Sequence, residues 1–198
     1  MDTFKLPNNR TLKIVQDSTP DSPREWDNLT QMIFTGKHEH LGDKHDVDFS
    51  EGYSSRQDFI ERGAEAVKKH IKDIVAIKPV HLYKHSGTSI STSYGYPYNC
   101  IWDSGTCGFV IITKQSIREM FGCKRVSQKD IEKAESQIDG EVETLSQWME
   151  GEVYGFVIEN EEEEHEDSCY GFYGHDINTN GILDHLSDED RTMLESQT

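Results

Sequence analysis

The amino-acid sequence predicts an α+β fold with a mainly antiparallel sheet, on which a long acidic helix and shorter helices pack. Short runs with strand-like alternation and helix-length stretches with capping residues support this prediction. Their order along the chain favours an antiparallel sheet with the helices on one side.

The first half of the chain supplies strands and one helix. Residues 11–16 alternate as a strand does. Residues 54–73 predict a helix, because Ser54 or Ser55 is a suitable N-cap and apolar residues follow on one stripe. Residues 80–93 predict two strands around a Ser-Gly turn.

Residues 108–127 predict a strand followed by a short helix. The run GFVIIT at 108–113 is typical of a buried strand, and the helix over 114–121 ends at Gly122. A long helix is predicted over 127–150, where S-Q-K-D resembles a capping box. Gly140 marks a point at which this helix could break in two.

The remaining residues predict a hairpin and a terminal helix. Two strands, 152–159 and 167–173, flank an acidic turn, and a last short helix is expected near 187–195. We expect one α+β domain over 1–175 and an acidic C-terminal extension over 176–198.

The negative charge is concentrated in the last third of the chain. Of the net charge of −17, residues 1–129 contribute +2, from 18 basic and 16 acidic side chains. Residues 130–198 contribute −19, from 2 basic and 21 acidic side chains. Nucleic acid and anionic membranes are therefore poor partners for this region. A basic protein surface, a cation or a DNA-binding protein suits it better.

Composition also limits the cellular context. The chain of 198 residues has no apolar run of membrane-spanning length and no secretory signal at its first residues. Its four cysteines form no C-x-x-C pair, which favours free thiols in a cytosolic protein.

The acidic third could form a protein-binding surface that imitates DNA. Duplex DNA carries one charge per roughly 1.7 Å of its axis, and a rigid helix and hairpin with carboxylates could occupy a basic cleft. A solvated face that only confers solubility is the alternative. The residues predicted to bind the partner are Asp139, Glu141, Glu143, Glu150, Glu161, Glu162, Glu163 and Glu164.

The stretch DSTPDSPREWDN, residues 17–28, predicts a structural corner. Its two prolines exclude a helix, and its Asp and Ser side chains can satisfy turn amides. We expect Arg24 to pair with Glu25 or Asp27 and Trp26 to pack as the anchor of the loop. A partner-binding loop is the alternative.

A histidine-rich stretch, residues 37–45, could hold a divalent metal. His38, His40, Asp43 and His45 are suitable ligands for zinc or another transition metal. An open coordination position would then activate water, as in a metal-dependent hydrolase. The spacing matches no established signature, and a polar solvated loop is the alternative.

Three further stretches favour structure over chemistry. Residues 176–184 begin like an EF-hand loop, but Ser187 stands where the bidentate glutamate belongs, so an Asn-Gly turn is preferred. Residues 102–108 place Ser104 and Cys107 beside Asp103 without the G-x-S-x-G pattern, which favours a tight turn. The tyrosine-rich run 94–98 is either a binding surface or a packed loop.

Six short stretches, distributed between residues 22 and 174, carry a resemblance to a known family. They are SPREWDNL (22–29), LGDKH (41–45), YKHSGTSIST (83–92), WDSGTCGFV (102–110), GEVYGF (151–156) and DSCYGFYG (167–174). Their combination resembles a family of uncharacterised proteins from phages, prophages and plasmids. The resemblance implies an accessory protein of a mobile element in a bacterial cytoplasm. It implies no catalytic residues. Small acidic proteins from that context often block host defences, including restriction and CRISPR nucleases.

The sequence thus leaves three functional hypotheses. The first is a non-enzymatic inhibitor of a host nucleic-acid-binding or defence protein, acting through a DNA-like acidic face. The second is a metal-dependent hydrolase acting on a nucleotide or nucleic acid through His38, His40, Asp43 and His45. The third is a structural or adaptor module whose aromatic loops bind another phage protein.

Overall fold

The chain has the α+β fold that the sequence predicts. The computed structural model describes residues 2–84, 87–93 and 104–195. Within them lie two four-stranded antiparallel sheets and several helices. The strands are β1 (Thr3–Lys5), β2 (Thr11–Gln16), β3 (Gln31–Phe34), β4 (Ile74–Lys84), β5 (Thr88–Ser91), β6 (Ser104–Thr113), β7 (Val153–Glu159) and β8 (His165–Tyr173). The α-helices are α1 (Arg56–His70), α2 (Lys114–Phe121), α3 (Gln128–Glu135), α4 (Ile138–Glu150) and α5 (Asp188–Glu195).

The chain divides into two compact units. Unit 1 comprises Met1–Ser22 and Gln147–Thr198, and unit 2 comprises Pro23–Ser146. These boundaries differ from the expected domain over 1–175 with an extension over 176–198. The boundary between Ser146 and Gln147 falls inside α4. Among the described helices, none has the length and apolar character required to span a lipid bilayer.

Unit 1 is built on the sheet β1-β2-β7-β8. Leu12 pairs with Ile158 and Ile14 with Phe156, so these alternate residues share one face of the sheet. Segments after β8 cover that face. Their buried side chains in the core of unit 1 are Ile177, Ile182, Leu186 and Leu194. The expected C-terminal extension therefore contributes four side chains to this core.

Unit 2 is built on the sheet β3-β6-β4-β5. Helix α1 packs Phe59 and Val67 against Ile33, Phe109 and Ile111 of this sheet. The part of helix α4 that belongs to unit 2 is hydrogen-bonded to this sheet. The Ser146 hydroxyl accepts from the backbone N–H of Ile90 in β5, at 2.9 Å.

The predicted helix termini are confirmed in three places. Ser55 caps α1 by accepting from the N–H of Asp58. Ser127 and Asp130 form the capping box at the start of α3. Gly122 ends α2 with φ of 63°, a conformation that glycine adopts at little cost.

The predicted long acidic helix over 127–150 is wrong in its continuity. It is two helices, and the break lies at Ser136 and Gln137. The Ser136 hydroxyl donates to Lys133 O, and the Gln137 N–H bonds to Ala134 O, which closes a tighter turn than an α-helix allows. Gly140 lies within the first turn of α4 and does not interrupt it. The carboxylates over 127–150 are therefore divided between α3 and α4.

The corner predicted at residues 17–28 is structural in its second half, but by other contacts than expected. Arg24 bonds to two acids far from it in sequence, Asp43 and Glu141. Asn28 closes the turn by donating from Nδ2 to Pro23 O and Trp26 O. The side chain of Trp26 is 48% exposed, so the expectation that it anchors the loop is wrong.

Candidate functional site

The turn between β7 and β8 is organised by Asn160. Its Oδ1 accepts from the N–H of Glu162 at 2.9 Å and from that of Glu164 at 2.8 Å. Its backbone N–H donates to Glu164 O, and the Glu163 N–H donates to Asn160 O. Glu163 has φ of 61°, the left-handed conformation that closes the turn. These bonds fix the backbone that carries the predicted glutamates.

The side chains on this turn point into solvent. The exposed carboxylates of the turn and of the start of β8 are Glu161, Glu162, Glu163, Glu164, Glu166 and Asp167. Glu161 accepts from Asn9 Nδ2 at 3.1 Å, and Glu164 accepts from Asn160 Nδ2 at 3.1 Å. Both donors are neutral amides, so they position the two carboxylates and leave their charges uncompensated.

Unit 1 carries most of the negative charge of the protein. Its two segments contain 18 acidic and 4 basic side chains, a net charge of −14. Unit 2 contains 19 acidic and 16 basic side chains, a net charge of −3. The charge asymmetry found along the sequence is therefore also an asymmetry between two compact bodies.

The basic side chains of unit 1 bond to acceptors within unit 1. Arg10 pairs with the buried carboxylate of Asp190. Lys13 pairs with Glu159, and Lys5 donates to Thr11 Oγ1 at 3.2 Å. Arg191 donates to Leu183 O from both Nε and Nη2, at 3.0 and 2.7 Å. These cations stabilise the unit, and Arg10 also lies near the hairpin, with its Nη1 3.9 Å from Oε2 of Glu166.

The predicted partner-binding residues fall into both units. Glu150 and Glu161–Glu164 belong to unit 1, and Glu150 is exposed at the end of α4. Asp139, Glu141 and Glu143 belong to unit 2. The sequence predicts that these residues form one face. The fold assigns them to separate bodies.

In unit 2, two of the three predicted carboxylates have structural partners. The hydroxyl of Thr92 and then the ammonium of Lys78, 3.0 Å away, hold the pKa of Asp139 below its usual value. Glu141 accepts from the N–H groups of Leu29 and Thr30, and it pairs with Arg24. The third, Glu143, is exposed on α4.

The four histidine-loop residues do not converge on a metal site. His38 and His40 lie in a 3-10 helix over Gly36–Leu41. Asp43 is bonded to Arg24 and to the N–H of Met32. His45 bonds through Nε2 to Phe34 O and accepts through Nδ1 from the N–H of Val47. Across residues 2–84, 87–93 and 104–195, no group of three His, Cys, Asp or Glu side chains could hold a metal ion.

The loop that begins like an EF-hand is a hydrogen-bonded turn. Asp176 Oδ1 accepts from both the N–H and the Nδ2 of Asn178. Asn180 donates to Gly174 O and accepts from the N–H of Ile182. The oxygens expected at calcium positions thus serve the turn itself, as the preferred sequence interpretation holds.

The candidate nucleophile turn is only partly within the described structure. Asp103 and the tyrosine-rich run 94–98 lie outside the described residues. Cys107 is buried in β6, and its thiol donates to Val80 O at 3.4 Å. Burial raises the pKa of this thiol to about 12, which is the opposite of what a nucleophilic cysteine requires.

Sequence reasoning missed the contribution of Trp148. This residue ends the apolar stripe of α4 and donates from Nε1 to Pro20 O at 3.2 Å, so its indole packs beside the loop after β2. In the sequence, the one indication of this role is that Trp148 follows Leu145, which is buried, by three residues. The same spacing is typical of an ordinary core residue.

In comparisons with family models, curated protein sequences and solved structures, nothing matched this chain.

Proposed function

We propose that this chain is a non-enzymatic accessory protein of a phage or other mobile element. It binds a host nucleic-acid-binding or defence protein, of the restriction or CRISPR nuclease type, and inhibits it. The acidic surface of unit 1 takes the place of DNA, and the β7–β8 turn lies at its centre. The bacterial cytoplasm is the compartment in which such a target acts.

One observation carries this proposal. Unit 1 has a net charge of −14, and the carboxylates of its hairpin stand on a turn that Asn160 fixes. A charge of this size costs stability through self-repulsion. A partner with a basic groove would offset that repulsion, and a fixed turn loses little conformational entropy on binding.

The proposal differs from the sequence hypothesis in its extent. Glu141 is excluded from the binding surface, because its carboxylate holds Arg24 and the backbone before β3. Asp139 is occupied by Lys78 and Thr92. The proposed surface is therefore Glu161–Glu164, together with Glu166 and Asp167 at the start of β8. Glu150 is not part of it, because the seven residues of β7 separate Glu150 from the turn.

The test is a competition experiment with purified restriction and CRISPR nucleases. Binding of a fluorescent DNA duplex to each nuclease is measured by anisotropy while the full chain is added. We expect the chain to displace DNA from at least one enzyme and to stop its cleavage. The displacement should weaken as salt is raised from 50 to 300 mM, about a twofold fall in the screening length.

Two charge-matched variants locate the surface. The hairpin variant carries Glu161→Gln, Glu162→Gln, Glu163→Gln and Glu164→Gln. The control carries Glu61→Gln, Glu65→Gln, Glu132→Gln and Glu135→Gln, which are exposed residues of unit 2. The hairpin variant should lose at least about tenfold in inhibition, or 1.4 kcal/mol, and the control less than about threefold. Equal losses in the two variants, or no displacement from any nuclease, would refute the proposal.

A further inference from the structure

Unit 1 contains a cleft that Trp148 helps to line. Its volume is about 680 Å³, and its walls are residues 16–20, after β2, and residues 148–151, at the end of α4. Pockets that bind small groups in proteins measure roughly 300–1,000 Å³. The cleft is therefore large enough to receive a side chain of another molecule.

Hydrogen bonds hold both walls in place. Trp148 donates from Nε1 to Pro20 O at 3.2 Å, and Gln16 donates from Nε2 to Gly151 O at 2.7 Å. The N–H of Asp17 bonds to Val153 O at 2.8 Å. Tyr173 donates its hydroxyl to Asp21 O at 2.7 Å, which fixes the far end of the loop. A cleft with fixed walls can bind without first being ordered.

The cleft has acidic and aromatic walls. Asp17 and Glu150 supply carboxylates, Trp148 supplies an aromatic ring, and none of the described lining residues is basic. Asp17 uses Oδ1 to accept from the N–H of Thr19 at 3.0 Å, which orients the carboxylate. Burial raises the pKa of Tyr173, and the charges of Asp21 and Asp17 raise it further. The potential beside the loop is thus negative.

We propose that this cleft binds the guanidinium group of an arginine side chain from a basic protein segment. Asp17 and Glu150 supply the counter-charges, and the Trp148 ring provides the stacking surface. A guanidinium group suits this site because it pairs with carboxylates through a planar fork and also stacks on aromatic faces. This inference rests on the proposed function, since proteins that bind nucleic acid present arginines in their grooves.

The experiment uses the emission of Trp148. The full chain with Trp26→Phe and Trp102→Phe retains Trp148 as its single tryptophan. It is titrated with an acetylated and amidated tetra-arginine peptide, with the tetra-lysine peptide of the same charge, and with the neutral tetra-citrulline peptide. We expect a saturable change with tetra-arginine, at least about fivefold weaker binding of tetra-lysine, and no response to tetra-citrulline.

Two isosteric changes test the counter-charges. Asp17→Asn with Glu150→Gln should weaken tetra-arginine binding at least tenfold, whereas the hairpin variant should change it less than threefold. Calorimetric titration of the unaltered chain with tetra-arginine and tetra-citrulline gives the same comparison without any substitution. Equal binding of the arginine and citrulline peptides, equal binding of arginine and lysine, or unchanged affinity after the Asp17 and Glu150 changes would overturn the inference.

The outcome separates the two proposals. If the peptide binds in a manner that requires Asp17 and Glu150 but no nuclease is inhibited, the arginine-binding cleft is supported and the proposed function is refuted. If nuclease inhibition persists after the Asp17 and Glu150 changes but is lost in the hairpin variant, the proposed function is supported and the role of the cleft is refuted.

Discussion

Arg24 and Asp43, 19 residues apart, form a two-point ion pair. Nε donates to Oδ1 at 3.2 Å and Nη2 to Oδ2 at 2.6 Å. The Arg24 side chain is 7% exposed, and Glu141 lies on its other side, 3.3 Å from Nη1. One buried cation thus joins the corner before β3, the loop after it and helix α4.

Replacing Arg24 with Ala should lower the free energy of unfolding by about 3 kcal/mol. The change leaves two carboxylates partly buried without their cation, which costs more than the pair itself contributes. Urea unfolding followed by circular dichroism measures the effect. Arg118→Ala, at an exposed position on α2, is the control and should cost less than about 0.5 kcal/mol. Similar losses in both variants would contradict the role given to Arg24.

Gly108 should not tolerate alanine, whereas Gly105 in the same strand should. A Cβ at Gly108 would stand 2.1 Å from Ile33 O, and the obstacle is backbone of the paired strand β3. A Cβ at Gly105 would meet nothing within 4 Å. We expect Gly108→Ala to cost about 3 kcal/mol and Gly105→Ala less than about 0.5 kcal/mol in thermal unfolding. Equal melting temperatures would show that β3 and β6 do not approach as described.

Cys107 should resist alkylation in the native protein. With a pKa of about 12, only about one thiol in 10⁴ is ionised at pH 8, and the side chain is also 4% exposed. Cys123 and Cys169 are half-buried and should be modified first by iodoacetamide. Peptide mass spectrometry gives the rates, and 6 M guanidinium should restore reactivity at Cys107. Labelling of native Cys107 as fast as Cys123 would contradict its burial.

Stability should fall as the pH drops from 7.5 to 5.5, in part through His81. Burial, followed by the charge of Arg56, lowers the pKa of His81 below 6.5. The unfolded state therefore binds the proton more readily, and stability is present above the unfolded pKa and lost below it. His81→Asn, which keeps a hydrogen-bonding group near Thr106, should flatten this dependence. Gln57→Asn, at an exposed position of α1 that does not titrate, is the control and should leave it unchanged. Urea unfolding at five pH values measures the slope, and equal slopes in the two variants would refute the assignment.

Asparagine at position 163 should stabilise the hairpin relative to asparagine at 162. Both changes remove one negative charge from the same turn, but only Glu163 has a left-handed backbone. That conformation costs a glutamate about 1 kcal/mol, and asparagine adopts it more readily. We expect Glu163→Asn to unfold at a higher temperature than Glu162→Asn. The reverse order would contradict the turn geometry.

Local sequence signals located much of the fold. Ser55, Ser127 and Gly122 mark helix ends because capping depends on a few neighbouring residues. The hairpin of β7 and β8 follows from two alternating runs around a polar turn. The short strands β1 and β3 carry too few residues for periodicity to identify them.

The candidate site was predicted less well, because a count of charged residues does not show which carboxylates form ion pairs or hydrogen bonds within the folded chain. The sequence-based prediction assigned Glu141 and Glu162 the same role on a partner-binding surface. Glu141 holds Arg24 and two backbone N–H groups, whereas Glu162 is exposed. The histidine loop likewise offered suitable ligand types, but the fold uses Asp43 and His45 for other bonds.

The α+β class, the helix caps, the hairpin and the location of the negative charge can all be predicted from the sequence, since each depends on neighbouring residues or on composition. Three other features become visible in the folded chain alone. The chain forms two compact units, unit 1 joins residues 1–22 to residues 147–198, and Trp148 lies against the loop at Pro20. These features depend on contacts between residues more than 100 positions apart, and no local pattern encodes such contacts.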